Sequence, residues 1–186
     1  MPIRKCVTPR KSGRPHPNGG IMMLVLLALG FAAIPAACAA GPGSGVAGII
    51  PLVKSRDEWR RLLPPEHFDI LFEEGTERAG TSPLNDEKRA GTFACAACFL
   101  PLFESKDKFN SGTGWPSFSQ PIAGRLETKH DYRLFTPRKE YHCARCGGHQ
   151  GHVFDDGPPP TGKRWCNNGL ALIFVPEGEP LPALRQ

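Results

Sequence analysis

Thr92-Phe93-Ala94-Cys95-Ala96-Ala97-Cys98 decides the fold, because a short strand-like run passes directly into a Cys-x-x-Cys doublet. A second doublet of the same spacing, Cys143-Ala144-Arg145-Cys146, follows after residues 99–142. Two cysteines three positions apart allow one tight turn to aim both sulfurs at a single ion, and two such turns complete a tetrahedral four-thiolate zinc site. The long spacer predicts that the ion clamps two distant hairpins of one larger domain. Four ligands leave no open position, so the expected role is structural. Two disulfides are the competing reading of these cysteines. The shared internal spacing favours zinc, and a thioredoxin-like redox pair lacks its βαβ setting.

Outward from the doublets, helical periodicity fades after Gly91, and short runs such as Tyr132-Arg133-Leu134-Phe135 and Gly169 to Val175 alternate with Gly, Pro and Asp-rich turns. Without strand-helix alternation a doubly wound parallel sheet is disfavoured, and a mainly β, antiparallel body is expected. Ahead of it, Ser55 and Glu58 form a capping box before Trp59, Leu62 and Leu63, and Pro64 and Pro65 end that helix. A second helix is expected over Glu66 to Glu74, with Phe68, Leu71 and Phe72 at helical spacing and Gly75 as its stop. The pair should cover one side of a sheet.

The 186 residues, 40% hydrophobic and 22% charged, suit one globular domain plus a tail. The formal charge of +5 rests on Arg4, Lys5, Arg10, Lys11 and Arg14; the remainder is about neutral, which argues against a nucleic-acid partner. Ile21 to Ala33 is uncharged and apolar, too short to span a bilayer comfortably and suited to a signal-peptide core after a basic start. Residues 1–40 therefore read as a signal peptide or lipoprotein signal, with Cys38 as a candidate lipid anchor, and the domain as exported and periplasmic or lipid-anchored facing the periplasm. Residues 41–53 read as a flexible linker, 54–180 as the domain and 181–186 as a tail. Met22 and Met23 leave the start codon open.

Cys166, in Gly162-Lys163-Arg164-Trp165-Cys166-Asn167-Asn168-Gly169, is the thiol left after both doublets and the two cysteines before residue 40 are set aside. In an extended segment Arg164, Cys166 and Asn168 share a face, and a guanidinium two residues away favours the thiolate, so Cys166 reads as a nucleophile. A buried, inert cysteine is the bland alternative. His149 and His152 lie three apart among glycines that permit close backbone approach to a ligand; they suit proton transfer, with metal ligation or simple hydrogen bonding as alternatives. Trp115, glycine-flanked in Ser111-Gly112-Thr113-Gly114-Trp115-Pro116-Ser117-Phe118, is either a pocket wall or a core residue.

Taken in order, EEGTER (73–78), KRAGTFACAAC (88–98), SGTGWPSF (111–118) and EYHCARCGGHQGHVFDDGPPPTGKRWCNNG (140–169) closely resemble the peptide-methionine (R)-S-oxide reductases over residues 55–175. The resemblance implies two antiparallel sheets with short N-terminal helices, stapled by a zinc on Cys95, Cys98, Cys143 and Cys146. It implies that Cys166 is the catalytic thiolate tuned by Arg164, that Trp115 packs the sulfoxide methyl with Phe118 also binding substrate, and that His149, His152 and Asn168 order substrate and water. Lys129, His130 and Asp131 are further pocket candidates. Attack on methionine-R-sulfoxide would leave methionine and a Cys166 sulfenic acid.

The sequence departs from part of that family at Thr113, where many members carry a resolving cysteine, and at Gly80, where an aromatic residue is common. The first departure points to an external thioredoxin-like dithiol as reductant, with Cys38 as the internal alternative. Protein substrates bearing methionine-R-sulfoxide and a monomeric state complete the expectation. The competing function is a zinc-stabilised module that binds Met-containing segments without turnover.

Overall fold

The structure is a computed structural model that describes residues 48–132 and 137–186. The expected signal segment, Cys38 and most of the linker lie outside the described residues, as do residues 133–135 of the expected Tyr132 to Phe135 strand. Among the described residues no helix is long and apolar enough to cross a membrane.

Two helices come first. Helix α1 (Arg56–Leu62) starts at the expected capping box, Ser55 accepting from the Glu58 amide while the Glu58 carboxylate takes the Ser55 amide. Helix α2 (Pro65–Phe72) starts one residue earlier than expected, with Pro65 in its first turn, where a missing N–H costs no hydrogen bond. Its exit also differs: Glu74, not Gly75, takes the left-handed conformation (φ 57°). Gly75 is required for space, since a Cβ there would lie 2.4 Å from Asp69 Oδ2. Trp59 stacks on Phe72 with centroids 4.8 Å apart, which locks the helices together before α2 packs against the larger sheet.

All strand pairs are antiparallel. Strands β1 (Gly91–Cys95), β2 (Pro101–Glu104) and β9 (Leu172–Pro176) form a three-stranded sheet in the order β2-β1-β9. Strands β3 (Lys108–Phe109), β4 (Ser117–Phe118), β5 (Leu126–Asp131), β6 (Arg138–Cys143), β7 (His149–Phe154) and β8 (Arg164–Asn167) form the other, in the order β3-β4-β8-β7-β6-β5. The mainly β, two-sheet architecture with two short helices is the one expected. Phe93, Phe103, Phe118 and Tyr141 fill the core, Phe103 stacking on Phe118 at 4.1 Å. The expected strand from Gly169 begins only at Leu172. Gly169 to Ala171 form a 3-10 turn instead, because the Glu77 carboxylate accepts from the amides of Gly169 and Leu170, at 2.5 and 3.0 Å.

Both ends of the described chain are held. The Leu52 amide donates to the Arg145 carbonyl at 2.7 Å, so the last residues of the expected linker are fixed. In the expected tail, Arg185 Nε donates to the Ala97 carbonyl at 2.6 Å, and the Arg145 guanidinium donates to the Arg185 carbonyl at 2.6 Å.

Candidate active site and metal centre

The two cysteine doublets fold into matching turns. Phe99 and Gly147, each one past its doublet, take positive φ and donate to the carbonyls of Cys95 and Cys143 at 2.8 and 2.9 Å. The first turn joins β1 to β2 and the second joins β6 to β7, so the cluster links a hairpin of each sheet. All four sulfurs lie within 4.8 Å of one another, and three of the four residues are fully buried. The pairs Cys95–Cys146 and Cys98–Cys143 stand 3.7 and 3.5 Å apart, beyond the ~2.05 Å of a disulfide. Four Zn–S bonds of ~2.3 Å in a tetrahedron put sulfurs about 3.8 Å apart, so the donor set fits a four-thiolate metal. Gln150 donates to the Cys95 sulfur at 3.5 Å, supplying an outer-shell contact.

Along β7 and β8, the larger sheet aligns a different chemistry. Lys129 pairs with Glu140, Glu140 with His152, His152 with Cys166 and Cys166 with Ser117, so one cross-strand row runs over β5, β6, β7, β8 and β4. A register shift between Tyr141 and His142 leaves Gln150 as an extra residue on β7. By plain alternation His149 and His152 would face opposite ways. The bulge instead brings their rings to 5.5 Å and turns Gln150 inward toward Cys95 and Asn167. Gly151 is needed in this row for packing against protein: a Cβ would lie 1.9 Å from the Cys166 carbonyl.

Cys166 is half-buried and opens into a pocket walled by Trp115, Phe154, Thr76, Arg138, His152, Gly151, Asn167 and Asn168. Trp115 is fixed by its indole N–H, which donates to the Glu77 carbonyl at 3.1 Å. Asn168 accepts from the Glu77 amide at 3.1 Å and donates to the Gln150 carbonyl at 3.2 Å. Asn167 turns away to Tyr141, whose hydroxyl donates to it at 2.8 Å. Arg164 makes two hydrogen bonds to Asp156, at 2.8 and 2.9 Å, and lies 4.3 Å over the Phe154 ring.

The electrostatics differ from the sequence expectation at Cys166. Burial pushes the Cys166 thiol above its ordinary value, and this outweighs the lowering by Arg164 and by hydrogen bonds from Thr113, Arg164 and Ser117. The resting sulfur is therefore a thiol with donors arranged for its anion. Burial also lowers His149 and His152, and the opposing pull of Glu140 and Asp131 is smaller. His149 Nδ1 lies 2.8 Å from Glu140, and His152 Nε2 lies 3.0 Å from Asp131. Each imidazole is thus neutral, with one nitrogen committed to a carboxylate.

Residues from every sequence motif meet at these two centres, and a family model described as the SelR domain matches residues 63–176. The chain belongs to the SelR domain family. Among curated relatives of this SelR chain, peptide methionine sulfoxide reductase B1, chloroplastic, of Arabidopsis thaliana is 51% identical over 119 residues, 63% of this chain and 59% of that protein. The peptide methionine sulfoxide reductases MsrB of Leifsonia xyli subsp. xyli and Pseudomonas putida are 49% and 50% identical. They match over 71% and 66% of this chain, and 96% and 93% of their own lengths.

Within the SelR fold Cys166, His152, Asn168 and Trp115 converge on the pocket, and the other expected residues do not line it. Phe118 is fully buried between Phe93 and Phe103, because its position on β4 points into the core, so it is a packing residue. His149 stands behind His152, buried against Glu140. His130 is exposed and stacks on Tyr132. Lys129 ion-pairs with Glu74 and Glu140, and Asp131 acts on the pocket through its neighbours. Sequence reasoning assigned no role to Glu77, Glu140 or Arg138. Each sits in or beside a motif, but its partners lie on other strands, so no spacing signal marks it.

Proposed function

We propose that this protein reduces methionine-R-sulfoxide in proteins to methionine, with Cys166 as the nucleophile. The observation that carries the reading is the row pairing Cys166 with His152 in the lining of a pocket also walled by Trp115. Cross-strand neighbours have Cβ atoms ~5 Å apart, close enough for a neutral imidazole to take the thiol proton. The thiolate attacks the electrophilic sulfur, and the same proton passes from the imidazolium to the oxygen. A methionine sulfoxide and a cysteine thiol become methionine and a cysteine sulfenic acid; the substrate sulfur gains the two electrons that the Cys166 sulfur loses. Trp115 offers an apolar wall for the methyl group, which leaves one epimer able to present its oxygen to the donors.

Recycling needs two further thiols, which convert the sulfenic acid to thiol and water as they become a disulfide. Thr113 holds the place beside Cys166 with a hydroxyl, which cannot form that disulfide. A thioredoxin-like dithiol is therefore the reductant in this reading. The ion of the cysteine cluster is taken as zinc on Cys95, Cys98, Cys143 and Cys146, where closed tetrahedral thiolate ligation would hold the two hairpins together. The basic, then apolar N-terminal sequence supports export to the periplasm, with cleavage or lipidation at Cys38. A binding module without turnover has no use for a thiol lining its pocket.

With dithiothreitol the protein should reduce the R epimer and leave the S epimer untouched, and Cys166→Ser should abolish turnover while retaining the metal. An active Cys166→Ser protein would sink the proposal.

A further inference from the structure

The pocket must provide one side for the sulfoxide oxygen, and few of its walls have a donor to spare. Asn167 gives its amide hydrogens to the Asn168 carbonyl and to Gln150, while Asn168 accepts from the Glu77 amide and gives one of its two amide hydrogens to the Gln150 carbonyl. Trp115 donates its only N–H to the Glu77 carbonyl. One Asn168 amide hydrogen, the Thr76 hydroxyl, His152 once it has taken the thiol proton, and Arg138 remain, and Arg138 is the one permanent cation among them.

The Arg138 guanidinium is only partly used. Its Nη2 donates to Asp131 Oδ2 at 2.6 Å, the same oxygen that binds His152 Nε2 at 3.0 Å. Its Nε is buried with no hydrogen-bond partner. Asp131 thus holds the cation and the imidazole side by side, at the edge of the pocket reached from Cys166 across the row. A guanidinium in the pocket wall with only one hydrogen bond made keeps charged donors for an acceptor bound there.

Resting on the reductase reading above, we infer that Arg138 is a catalytic residue whose guanidinium receives the sulfoxide oxygen. A sulfoxide oxygen carries partial negative charge in the ground state and gains more as the sulfur is attacked. A fixed cation there stabilises both, most strongly in the transition state, while His152 beside it delivers the proton. Methionine, the product, has no oxygen and makes no such contact. Arg138 therefore distinguishes substrate from product, and it marks the oxygen side of the pocket opposite the methyl wall.

The distinction supplies the test. In Cys166→Ser protein, which does not turn over, the affinities of N-acetyl-methionine-R-sulfoxide amide and N-acetyl-methionine amide are measured by calorimetry. Adding Arg138→Met should weaken sulfoxide binding on the order of tenfold and change thioether binding less than about twofold, with Arg138→Lys in between. An equal loss for both ligands would indicate pocket damage and overturn the assignment. So would a sulfoxide preference unchanged in Arg138→Met, or no preference with Arg138 in place. Turnover of the R epimer by the otherwise unsubstituted protein is assayed in parallel. If it fails, the reductase reading itself falls; if it succeeds while the preference ignores Arg138, only the role of Arg138 does.

Discussion

Cys166 stands under two opposed influences, and their balance sets the pH at which it reacts. Burial raises the thiol, while Arg164, Thr113 and Ser117 favour its anion without prevailing. Arg164 is partly neutralised for this task by its two hydrogen bonds to Asp156, a partner eight residues away that no local pattern reveals. Alkylation of Cys166 by iodoacetamide should therefore rise with pH to a midpoint above the ~8.5 of an ordinary thiol, and Arg164→Met should move it higher. A midpoint below that of free cysteine would show that the donors dominate burial. Cys166, Trp115 and the four clustered cysteines were legible as residue types at given spacings. Burial strengths, Arg138 and the inward turn of Phe118 were not, because each depends on which strand lies alongside.

At the level of elements, the fold class was readable because the short runs and turns left no room for parallel crossovers. Three local departures share one cause, a tertiary contact overriding a sequence signal. The Glu77 carboxylate turns Gly169 to Ala171 into a 3-10 turn; the extra residue Gln150 puts both histidines on one face; the close approach of Asp69 reserves Gly75 for space. The cysteine turns are the contrast, since a Cys-x-x-Cys knuckle encodes its own geometry. They join a hairpin from each sheet, and among the described residues no strand pairing connects the two sheets. Losing the ion should thus release the sheets from each other. Cys98→Ser should lose the metal and melt at least ~10 °C lower, as a loss of several kcal/mol implies for a domain of this size, whereas Cys166→Ser should keep both metal and melting temperature. Calorimetry with metal analysis decides it, and an unchanged melting temperature in metal-free Cys98→Ser protein would refute a stapling role.

For the molecule as a whole, placing neutral histidines under the active-site row couples function to acid stability. His152 is faced by Asp131 from β5, Arg138 and Glu140 from β6, His149 on its own strand and Cys166 from β8. Burial, helped by Arg138, outweighs the carboxylates and lowers its folded-state pKa below the ~6.5 of an unfolded histidine. Between those two values the unfolded chain binds more protons than the folded one, so unfolding free energy falls as pH drops below about 6.5. His149 is shifted the same way by burial and adds to the effect. Each histidine contributes a slope of at most ~1.4 kcal/mol per pH unit. Acid also competes for metal thiolates, so the informative quantity is a difference between two metal-loaded proteins. In urea titrations between pH 7.5 and 5.5, His152→Asn should lose less stability than the parent protein. Equal losses would mean that the folded state does not lower the pKa of His152, and a larger loss in His152→Asn than in the parent would mean that an imidazolium, not a neutral base, faces Cys166.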